Sequence, residues 1–333
     1  MLIDELQTPA LLVEQAALRH NLDTMSAALP GPRLRPHVKA HKCTSLARLQ
    51  HANGHPGFTC ATIREVEAMA AAGLGEDLLL ANEVLDTRRL GRLAQDGHRV
   101  TVAMDSAETI EAAAAGGVRE VIIDVNVGLP RCGCPPADAG SLADLARKTG
   151  LAVRGVMGYE GHLMLVQSQE ERRERTEQAM EQLLAASADV GGDLISAGGT
   201  GTYAVNTWAT EIQAGSYALM DTAYGKLGQP FQQALSVLGR VISVSPEWAV
   251  VDVGLKSLSL DHGLPSIEGA KVWFCSDEHT TFNTEDGARP AVGDLIRVLP
   301  AHVDPTVTLH DTLYLVDGAQ VLEQWPVDMR GWQ

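Results

Sequence analysis

Short apolar runs alternate with alanine-rich amphipathic segments from about residue 34 to about residue 220. This alternation is typical of repeated βα units, in which helices cover a parallel sheet. Because eight such strands close into a barrel, the pattern predicts an α/β fold with an eight-stranded (β/α) barrel. Helices are expected at 63–72, where apolar residues recur at helical spacing, and at about 167–188. The predicted strands centre on residues 34–38, 58–60, 78–81, 100–103, 121–125, 153–158, 194–197 and 212–219.

The pattern changes after about residue 235, where strand-like runs follow one another without long helical stretches. Such runs separated by turns predict a separate all-β domain. Residues 8–13 are also expected to be extended. We therefore expect an N-terminal segment, 1–15, that pairs with the β domain, then a barrel domain at 16–234 and a C-terminal β domain at 235–333. The strand-like runs lie at 237–244, 248–253, 271–275, 294–299 and 313–316.

Composition and charge limit the partners of the chain. Its 333 residues are 45% hydrophobic and 20% charged, which is ordinary for a folded globular protein. A formal net charge of −16 at pH 7 repels nucleic-acid phosphates and anionic membranes, so neither is an expected partner. An acidic N-terminal sequence without an apolar run of membrane length predicts a cytoplasmic protein. Five cysteines, an odd number, fit reduced thiols better than a disulfide framework.

A cluster of bases follows the first predicted strand, in Arg35-Pro36-His37-Val38-Lys39-Ala40-His41-Lys42. Neighbouring cations and partial burial both disfavour protonation, so Lys39 could present a free amine that attacks a carbonyl. That is the chemistry of a Schiff-base lysine. The alternative is a solvated basic patch at the end of a strand.

A glycine-threonine loop, Gly198-Gly199-Thr200-Gly201-Thr202, follows the seventh predicted strand. Glycines allow backbone N–H groups to approach an anion, and threonines add hydroxyl donors, so the loop could hold a phosphate; the alternative is a tight turn. Ala214-Gly215-Ser216-Tyr217 supplies a second small-residue turn in the eighth unit, and barrel phosphate sites typically use these last two loops. A reactive lysine together with a phosphate site suggests pyridoxal 5′-phosphate.

Two other predicted strand ends offer residues for the cofactor ring. Arg131 follows the fifth strand, where an arginine facing the ring nitrogen would keep that nitrogen unprotonated. Tyr159 and His162 follow the sixth strand, where an aromatic or imidazole ring can pack on the cofactor. A surface salt bridge for Arg131 and core packing for Tyr159 remain open alternatives.

The predicted β domain contains Pro300-Ala301-His302-Val303-Asp304-Pro305-Thr306. In an extended segment, residues two apart project from the same face, so His302 and Asp304 could hold one metal ion. A nitrogen and a carboxylate oxygen suit a divalent ion such as Mn²⁺ or Mg²⁺, although a purely structural pair is the alternative. The pairs Asp261-His262 and Glu278-His279 lack comparable context and are interpreted as loop residues.

These motifs, together with Gly158-Tyr159-Glu160-Gly161-His162, resemble the D-threonine aldolase and D-serine dehydratase family, and most closely its aldolase branch. The family belongs to the alanine-racemase-like (fold type III) pyridoxal phosphate enzymes. The resemblance spans nearly the whole chain. It implies a barrel, a C-terminal β domain and a homodimer with its active site near the domain junction.

The resemblance also implies roles for individual residues. Lys39 would bind the cofactor covalently. A carboxylate as the second metal ligand is similar to the aldolases, whereas the dehydratases tend to carry a cysteine and zinc, so Zn²⁺ remains a possible ion. Carried over by motif, the cofactor-binding residues are Lys39, Arg131, Tyr159, Thr200, Gly201, Thr202, Gly215, Ser216 and Tyr217, and the metal ligands are His302 and Asp304.

The expected reaction is retro-aldol cleavage of a D-β-hydroxy-α-amino acid to glycine and an aldehyde. The metal would bind the β-hydroxyl and lower its pKa, and a nearby base, His41 or His162, would remove its proton. The alternative is β-elimination by a D-serine or D-3-hydroxyaspartate dehydratase, which gives a 2-oxo acid and ammonia. A racemase needs no metal pair, and a noncatalytic carrier of the cofactor would lack the β domain.

Overall fold

The computed structural model describes residues 1–284 and 289–332 of the chain. The chain divides into two compact units, named here the barrel unit and the β unit. The barrel unit comprises Met25–Lys39, Leu46–Gly215 and Met329–Gln333, and the β unit comprises Met1–Thr24, Ala40–Ser45 and Ser216–Asp328. The predicted domain bounds at residues 15 and 234 stay a prediction.

Strands and helices have the following bounds in chain order. The strands are β1 Ala10–Glu14, β2 Phe58–Cys60, β3 Leu78–Leu80, β4 Val100–Met104, β5 Glu120–Asp124, β6 Ala152–Gly158, β7 Leu194–Ala197, β8 Glu211–Ile212, β9 Leu235–Val244, β10 Ala249–Val251, β11 Ala270–Cys275, β12 Thr280–Thr284, β13 Leu295–Val298, β14 Thr312–Asp317 and β15 Gln320–Pro326. The helices are α1 Gln15–Ala28, α2 Thr44–Ala52, α3 Ile63–Ala71, α4 Arg88–Gln95, α5 Ala107–Gly116, α6 Ala139–Lys148, α7 Gln169–Val190, α8 Thr222–Gly225 and α9 Val303–Thr308.

A parallel sheet with the strand order β2-β3-β4-β5-β6-β7-β8 forms the centre of the barrel unit. Its strands are almost entirely buried because helices connect them, as the alternating pattern predicts. Leu79, Ala103, Ile122 and Met157 pack together as one cluster of this core. The predicted fold class is confirmed in this unit.

The first predicted strand differs from a regular strand, although it still joins the two edges of the sheet. Arg35 donates its backbone N–H to Ile212 at 3.0 Å, and Thr59 donates to the carbonyl oxygen of Pro36 at 2.9 Å. Residues 34–37 therefore bridge β8 and β2. Because Pro36 has no N–H to donate, the ladder is interrupted, and the chain turns into a 3₁₀ helix at Val38–Ala40. The sheet thus has seven strands and one bridging segment instead of eight strands.

The eighth predicted strand, 212–219, is also shorter in the structure. Only Glu211–Ile212 is a strand, and Ser216–Ala218 forms a 3₁₀ turn. Met220 then has φ of 57°, a left-handed backbone conformation that is uncommon for a non-glycine residue and does not continue a strand. The apolar residues after Ile212 are buried in turns, which an apolar run alone does not distinguish from a strand.

The side chain of Arg35 anchors the bridging segment to neighbouring residues. Its side chain is only 4% exposed and donates from Nε to Glu211 Oε1 at 2.7 Å. It also donates from Nη2 to Asp77 Oδ2 at 2.9 Å and from Nη1 to the Asp77 carbonyl oxygen at 2.9 Å. A buried guanidinium with both carboxylates in place is satisfied. Loss of the cation would leave the buried Glu211 carboxylate without a counter-charge, with only the Ser196 hydroxyl donating to it in the part of the chain that the structure describes, whereas Asp77 would keep its ion pair with Arg154.

Arg35→Met should therefore lower the free energy of unfolding by about 3–5 kcal/mol, as expected when one partner of a buried ion pair is removed. A urea titration followed by circular dichroism measures this change. The matched control is Arg88→Met, because the pair of Arg88 with Asp86 is largely exposed, with side chains 77% and 61% accessible. Equal stability of the Arg35 variant and the wild type would contradict a scaffold role.

The β unit contains a mixed sheet in the order β11-β12-β10-β9-β1-β14-β15, with β13 paired to β9. Strand β1 lies antiparallel to β9 and parallel to β14, so the N-terminal segment is part of this sheet. Leu6, Ala10, Leu12, Leu238 and Val316 form a buried cluster beneath it. All five cysteines are free thiols, and no helix within the described ranges is long and apolar enough to cross a membrane.

Candidate cofactor and metal sites

Backbone hydrogen bonds align the predicted cofactor-binding loops at neighbouring strand ends of the barrel unit. His37 donates to the carbonyl oxygen of Ala214 at 3.0 Å, and Gln213 donates to that of Ala197 at 2.9 Å. The turn that carries Lys39, the small-residue turn after β8 and the loop after β7 therefore follow one another around the carboxyl edge of the sheet. In barrels, this edge carries the reactive groups.

Lys39 lies in the 3₁₀ helix Val38–Ala40, directly after the bridging segment, and is partly buried. Val38 and Ala40 on either side are almost fully buried. Hydrogen bonds on both sides of residues 34–37 hold the backbone before the lysine. The backbone that carries the predicted cofactor lysine is thus held in place by hydrogen bonds, and the lysine is not part of an open surface patch.

The glycine loop, Gly198 to Thr202, needs glycine at two positions for different reasons. Gly198 has φ of +78°, a left-handed conformation that side chains rarely adopt. At Gly201, an added Cβ would collide with the backbone of Met164. Thr200 and Thr202 are both buried, at 2% and 0% exposure. The loop is therefore tightly packed, with little freedom to change its shape.

Glu160 holds this loop in place, a role that the sequence reasoning did not assign. Its fully buried carboxylate accepts the Gly198 N–H at 3.0 Å, the Thr202 hydroxyl at 2.9 Å and the Asn206 amide at 3.0 Å. Burial raises the pKa of Glu160, although the three donors counteract part of this rise. The Thr202 hydroxyl, predicted to bind the cofactor, is thus directed to Glu160.

Arg131 and Tyr159 come together after strands β5 and β6. The guanidinium carbon of Arg131 lies 5.1 Å from the centre of the Tyr159 ring, within the range of a cation–π contact. Their loops are adjacent because Val125 donates its N–H to the carbonyl oxygen of Met157 at 2.8 Å. The two residues predicted at the cofactor ring are therefore neighbours.

The two candidate bases have different surroundings. Nδ1 of His41 accepts the backbone N–H of Cys43 at 3.2 Å, so the proton of a neutral ring is on Nε2. His162 packs against Gly128, and its buried Nδ1 has no hydrogen-bond partner within the described residues. Burial, and to a lesser extent the charge of Arg175, lower the pKa of His162. The lowered pKa favours the neutral form of the imidazole, which is the form that a base requires.

Ser216 and Tyr217, both predicted near the phosphate, lie in the β unit. The Ser216 hydroxyl donates to Asp304 Oδ2 at 3.2 Å. Tyr217 is fully buried, with its ring 5.8 Å from that of Phe231. The structure therefore relates Ser216 to the predicted metal pair, and Tyr217 to the core of the β unit.

His302 and Asp304 are close together, but the predicted extended geometry is wrong. His302 precedes α9, and Asp304 lies in its first turn. His302 Nε2 is 3.8 Å from Asp304 Oδ2. Two ligands of one ion, each at about 2.1 Å, can be at most about 4.2 Å apart, so the pair fits a shared divalent ion. The helical turn therefore brings together the two groups that the sequence assigned to one strand face.

Asp221 fixes the start of this turn. It accepts the Val303 N–H at 3.0 Å and the Tyr224 N–H at 2.9 Å, and so caps both α9 and α8. Burial raises the pKa of Asp221, whereas these two hydrogen bonds lower it. Asp221 and Val303 are 82 residues apart in the sequence, so no local motif indicates their hydrogen bond.

Asp261 and His262, interpreted from the sequence as loop residues, cluster with His302. Their ligand atoms lie within 4.8 Å of one another, close enough for a metal site. Asp261 Oδ2 is 2.6 Å from His302 Nδ1, and the ring of His262 stacks on that of His302 at 3.8 Å. Burial raises the pKa of Asp261, but hydrogen bonds from Ser259 and His302 outweigh it and lower the pKa overall.

Comparison with known proteins gives a family that agrees with the observed fold. The sequence family described as "Alanine racemase, N-terminal domain" matches residues 13–223, and the "Putative serine dehydratase domain" family matches 234–316. D-threonine aldolase from Arthrobacter sp is 35% identical, covering 97% of this chain and 93% of the relative. 3-Hydroxy-D-aspartate aldolase from Paracoccus denitrificans (strain Pd 1222) is 33% identical, with 98% and 93% coverage.

A solved structure extends the similarity to three dimensions. The crystal structure of D-threonine aldolase from Filomicrobium marinum superposes with a TM-score of 0.92 at 35% identity, covering 99% of this chain and 97% of that one. The chain is therefore an alanine-racemase-like enzyme of the pyridoxal 5′-phosphate class. Within this class it belongs to the D-threonine aldolase family of lyases, and the predicted family and fold class are confirmed.

The residues of the barrel unit fit this cofactor. A lysine on a rigid turn can bind its aldehyde, and the loops after β7 and β8 bring tightly packed glycines to the same edge. Arg131 and Tyr159 add a cation and an aromatic face at the next strand ends. The chemical groups present therefore match those that pyridoxal 5′-phosphate needs.

Proposed function

We propose that this enzyme cleaves D-β-hydroxy-α-amino acids to glycine and an aldehyde, using pyridoxal 5′-phosphate and a divalent metal ion. The main observation is that His302 faces the carboxylate of Asp304 at 3.8 Å, in a chain that also carries the cofactor lysine. A carboxylate favours hard ions, so Mn²⁺ or Mg²⁺ is expected, with Zn²⁺ as the less suited ion. Its aldolase relatives support the same reaction.

Lys39 holds the cofactor through its amine, and the glycine loop together with Gly215 receives the phosphate. When bound, pyridoxal 5′-phosphate supplies an electron sink for the Cα–Cβ bond that breaks. A divalent ion held by His302 and Asp304 supplies Lewis acidity, which lowers the pKa of a hydroxyl group. Ser216, which donates to Asp304, orients that carboxylate.

His162 is the proposed general base for the β-hydroxyl proton. Burial lowers the pKa of its imidazole and so favours the neutral ring, whose free nitrogen can take up the proton. His41 is the less suited candidate, because its Nδ1 lone pair accepts the N–H of Cys43. His162→Gln should therefore lower kcat more than His41→Gln does.

Product identification tests the reaction. The enzyme is incubated with pyridoxal 5′-phosphate, Mn²⁺ and either D-threonine or L-threonine, and acetaldehyde and glycine are quantified. Both products should form in equal amounts from D-threonine only. Formation of 2-oxobutanoate and ammonia instead would indicate β-elimination, the second candidate function, which the match of residues 234–316 to a dehydratase domain supports.

Glu160→Ala should weaken the binding of pyridoxal 5′-phosphate, because it removes the acceptor for two donors of the glycine loop, Gly198 and Thr202, and for the nearby Asn206 amide. An unsatisfied buried group costs about 1–3 kcal/mol, so the dissociation constant should rise about 5- to 150-fold. Fluorescence titration of the apoenzyme measures this constant. Pyridoxal, which lacks the phosphate, should bind both proteins equally, and a matching loss for pyridoxal would contradict a role at the phosphate. Glu170→Ala, in the exposed first turn of α7, is the control.

We also propose that the enzyme acts as a homodimer on small-molecule amino acids. Light scattering coupled to gel filtration tests the oligomeric state. The cytoplasmic location predicted from the sequence stays a prediction.

A further inference from the structure

The ring of His302 is held on two sides in the β unit. Its Nδ1 atom lies 2.6 Å from Asp261 Oδ2, a short hydrogen bond between side chains 41 residues apart. The ring of His262 covers one face, with the centroids 3.8 Å apart and the planes within 8° of parallel. Nε2, the other ring nitrogen, is 3.8 Å from Asp304 Oδ2.

The loop that carries Asp261 is tied to the helix that follows His302. Ser259 donates its backbone N–H to Thr306 Oγ1 at 3.1 Å, and Thr306 Oγ1 donates to the carbonyl oxygen of His302 at 2.7 Å. The Ser259 hydroxyl in turn donates to Asp261 Oδ1 at 2.5 Å. These contacts connect the loop to α9 and orient the Asp261 carboxylate. The position of this carboxylate next to His302 is therefore fixed by several hydrogen bonds.

The stacked geometry argues against a single ion bound by both His262 and His302. An imidazole binds a metal in the plane of its ring, at about 2.1 Å from the nitrogen. Two parallel rings stacked at 3.8 Å have no common in-plane position at that distance. The cluster of Asp261, His262 and His302 therefore supports His302 in its orientation and does not form a three-ligand site of its own.

We propose that Asp261 is a positioning residue, whose carboxylate accepts the Nδ1–H of His302 and thereby directs the Nε2 lone pair toward the metal shared with Asp304. The inference rests on the metal site of the proposed function. A histidine ligand whose other nitrogen donates to a carboxylate has a fixed tautomer and ring orientation and is a stronger base toward the metal. His262 stabilises the same ring orientation by stacking.

Metal affinity tests this role without relying on turnover. Mn²⁺ is titrated into the cofactor-loaded, chelator-treated enzyme by isothermal calorimetry. Asp261→Ala should raise the Mn²⁺ dissociation constant about 10–100-fold, the usual effect of losing an outer carboxylate. Asp261→Asn should recover part of the affinity, because its amide oxygen can still accept the Nδ1–H. Asp277→Ala, another exposed aspartate in the β unit, should bind Mn²⁺ like the wild type.

Each alternative predicts a different result. Unchanged affinity in Asp261→Ala, with tight binding by the wild type, would overturn the positioning role and leave the metal site intact. Absence of Mn²⁺ binding by the wild type would overturn both. If His262→Ala weakened binding as much as His302→Ala while Asp304→Ala did not, the ion would bind at Asp261, His262 and His302, and the proposal would be wrong. Unchanged visible absorbance of the cofactor in Asp261→Ala shows that the barrel unit is intact.

Discussion

Replacing Lys39 by alanine is expected to lower kcat for D-threonine cleavage by at least about 10³-fold, because the variant would lose the proposed covalent attachment of the cofactor. The visible absorbance band of the lysine-bound cofactor should disappear at the same time. Lys39 lies on a turn whose preceding residues are held by backbone hydrogen bonds at 2.9 and 3.0 Å, so the substitution removes the amine without disturbing the sheet. Absorbance spectroscopy and initial-rate kinetics measure both effects.

Lys42→Ala is the matched control for this experiment. Lys42 belongs to the same basic cluster and has φ of 46°, so alanine is no worse suited to its backbone than lysine. The variant should keep the absorbance band. If the band persisted in Lys39→Ala and vanished in Lys42→Ala, the cofactor lysine would be misassigned.

Removal of the divalent ion is expected to have the second large effect. Treatment with a chelator should lower kcat at least about 100-fold, because a divalent ion held by His302 and Asp304 would supply the positive charge that favours loss of the β-hydroxyl proton. Mn²⁺ should restore activity. Cofactor absorbance should not change on chelation, because the residues assigned to the cofactor and those assigned to the metal are different side chains.

The substitution Asp304→Asn should have the same effect as the chelator, because it changes a predicted metal ligand. The amide keeps the shape of the side chain but removes the charge that attracts a cation, so activity should fall and the Mn²⁺ dissociation constant should rise. Asp317→Asn, on the exposed end of β14, is a suitable control. Full activity after chelation, or wild-type Mn²⁺ affinity in Asp304→Asn, would contradict the metal role.

The barrel could be predicted because its strands are short, apolar and separated by amphipathic helices. Strands β2 and β7 have the predicted bounds, and α3 differs from its prediction by one residue. The strand predicted at 212–219 was wrong beyond Ile212, since buried turns and buried strands have the same composition. Strand β12, with the sequence Thr-Thr-Phe-Asn-Thr, was missed because its polar residues hide the alternation.

Sequence motifs indicated the chemical groups of the site but did not reveal the contacts that hold them. Lys39 and His302 were both predicted from local patterns, as the cofactor lysine and a metal ligand. Glu160 was part of a quoted motif, yet its partner Asn206 is 46 residues away and no spacing rule connects them. Asp261 was interpreted as a loop residue for lack of sequence context, and its proximity to His302, 41 residues away, depends on the fold of the intervening chain. Contacts between residues far apart in the sequence, which position the site residues, therefore become visible only in the structure.

The fate of the hydrogen on Cα is the most direct test of the proposed reaction. D-Threonine deuterated at Cα is converted by the metal- and cofactor-loaded enzyme, and the products of the initial phase are analysed by mass spectrometry. Cleavage of the Cα–Cβ bond leaves the deuterium in glycine and releases acetaldehyde, which is the result expected here. Deuterium lost to water together with 2-oxobutanoate and ammonia would contradict retro-aldol cleavage and assign the enzyme to β-elimination.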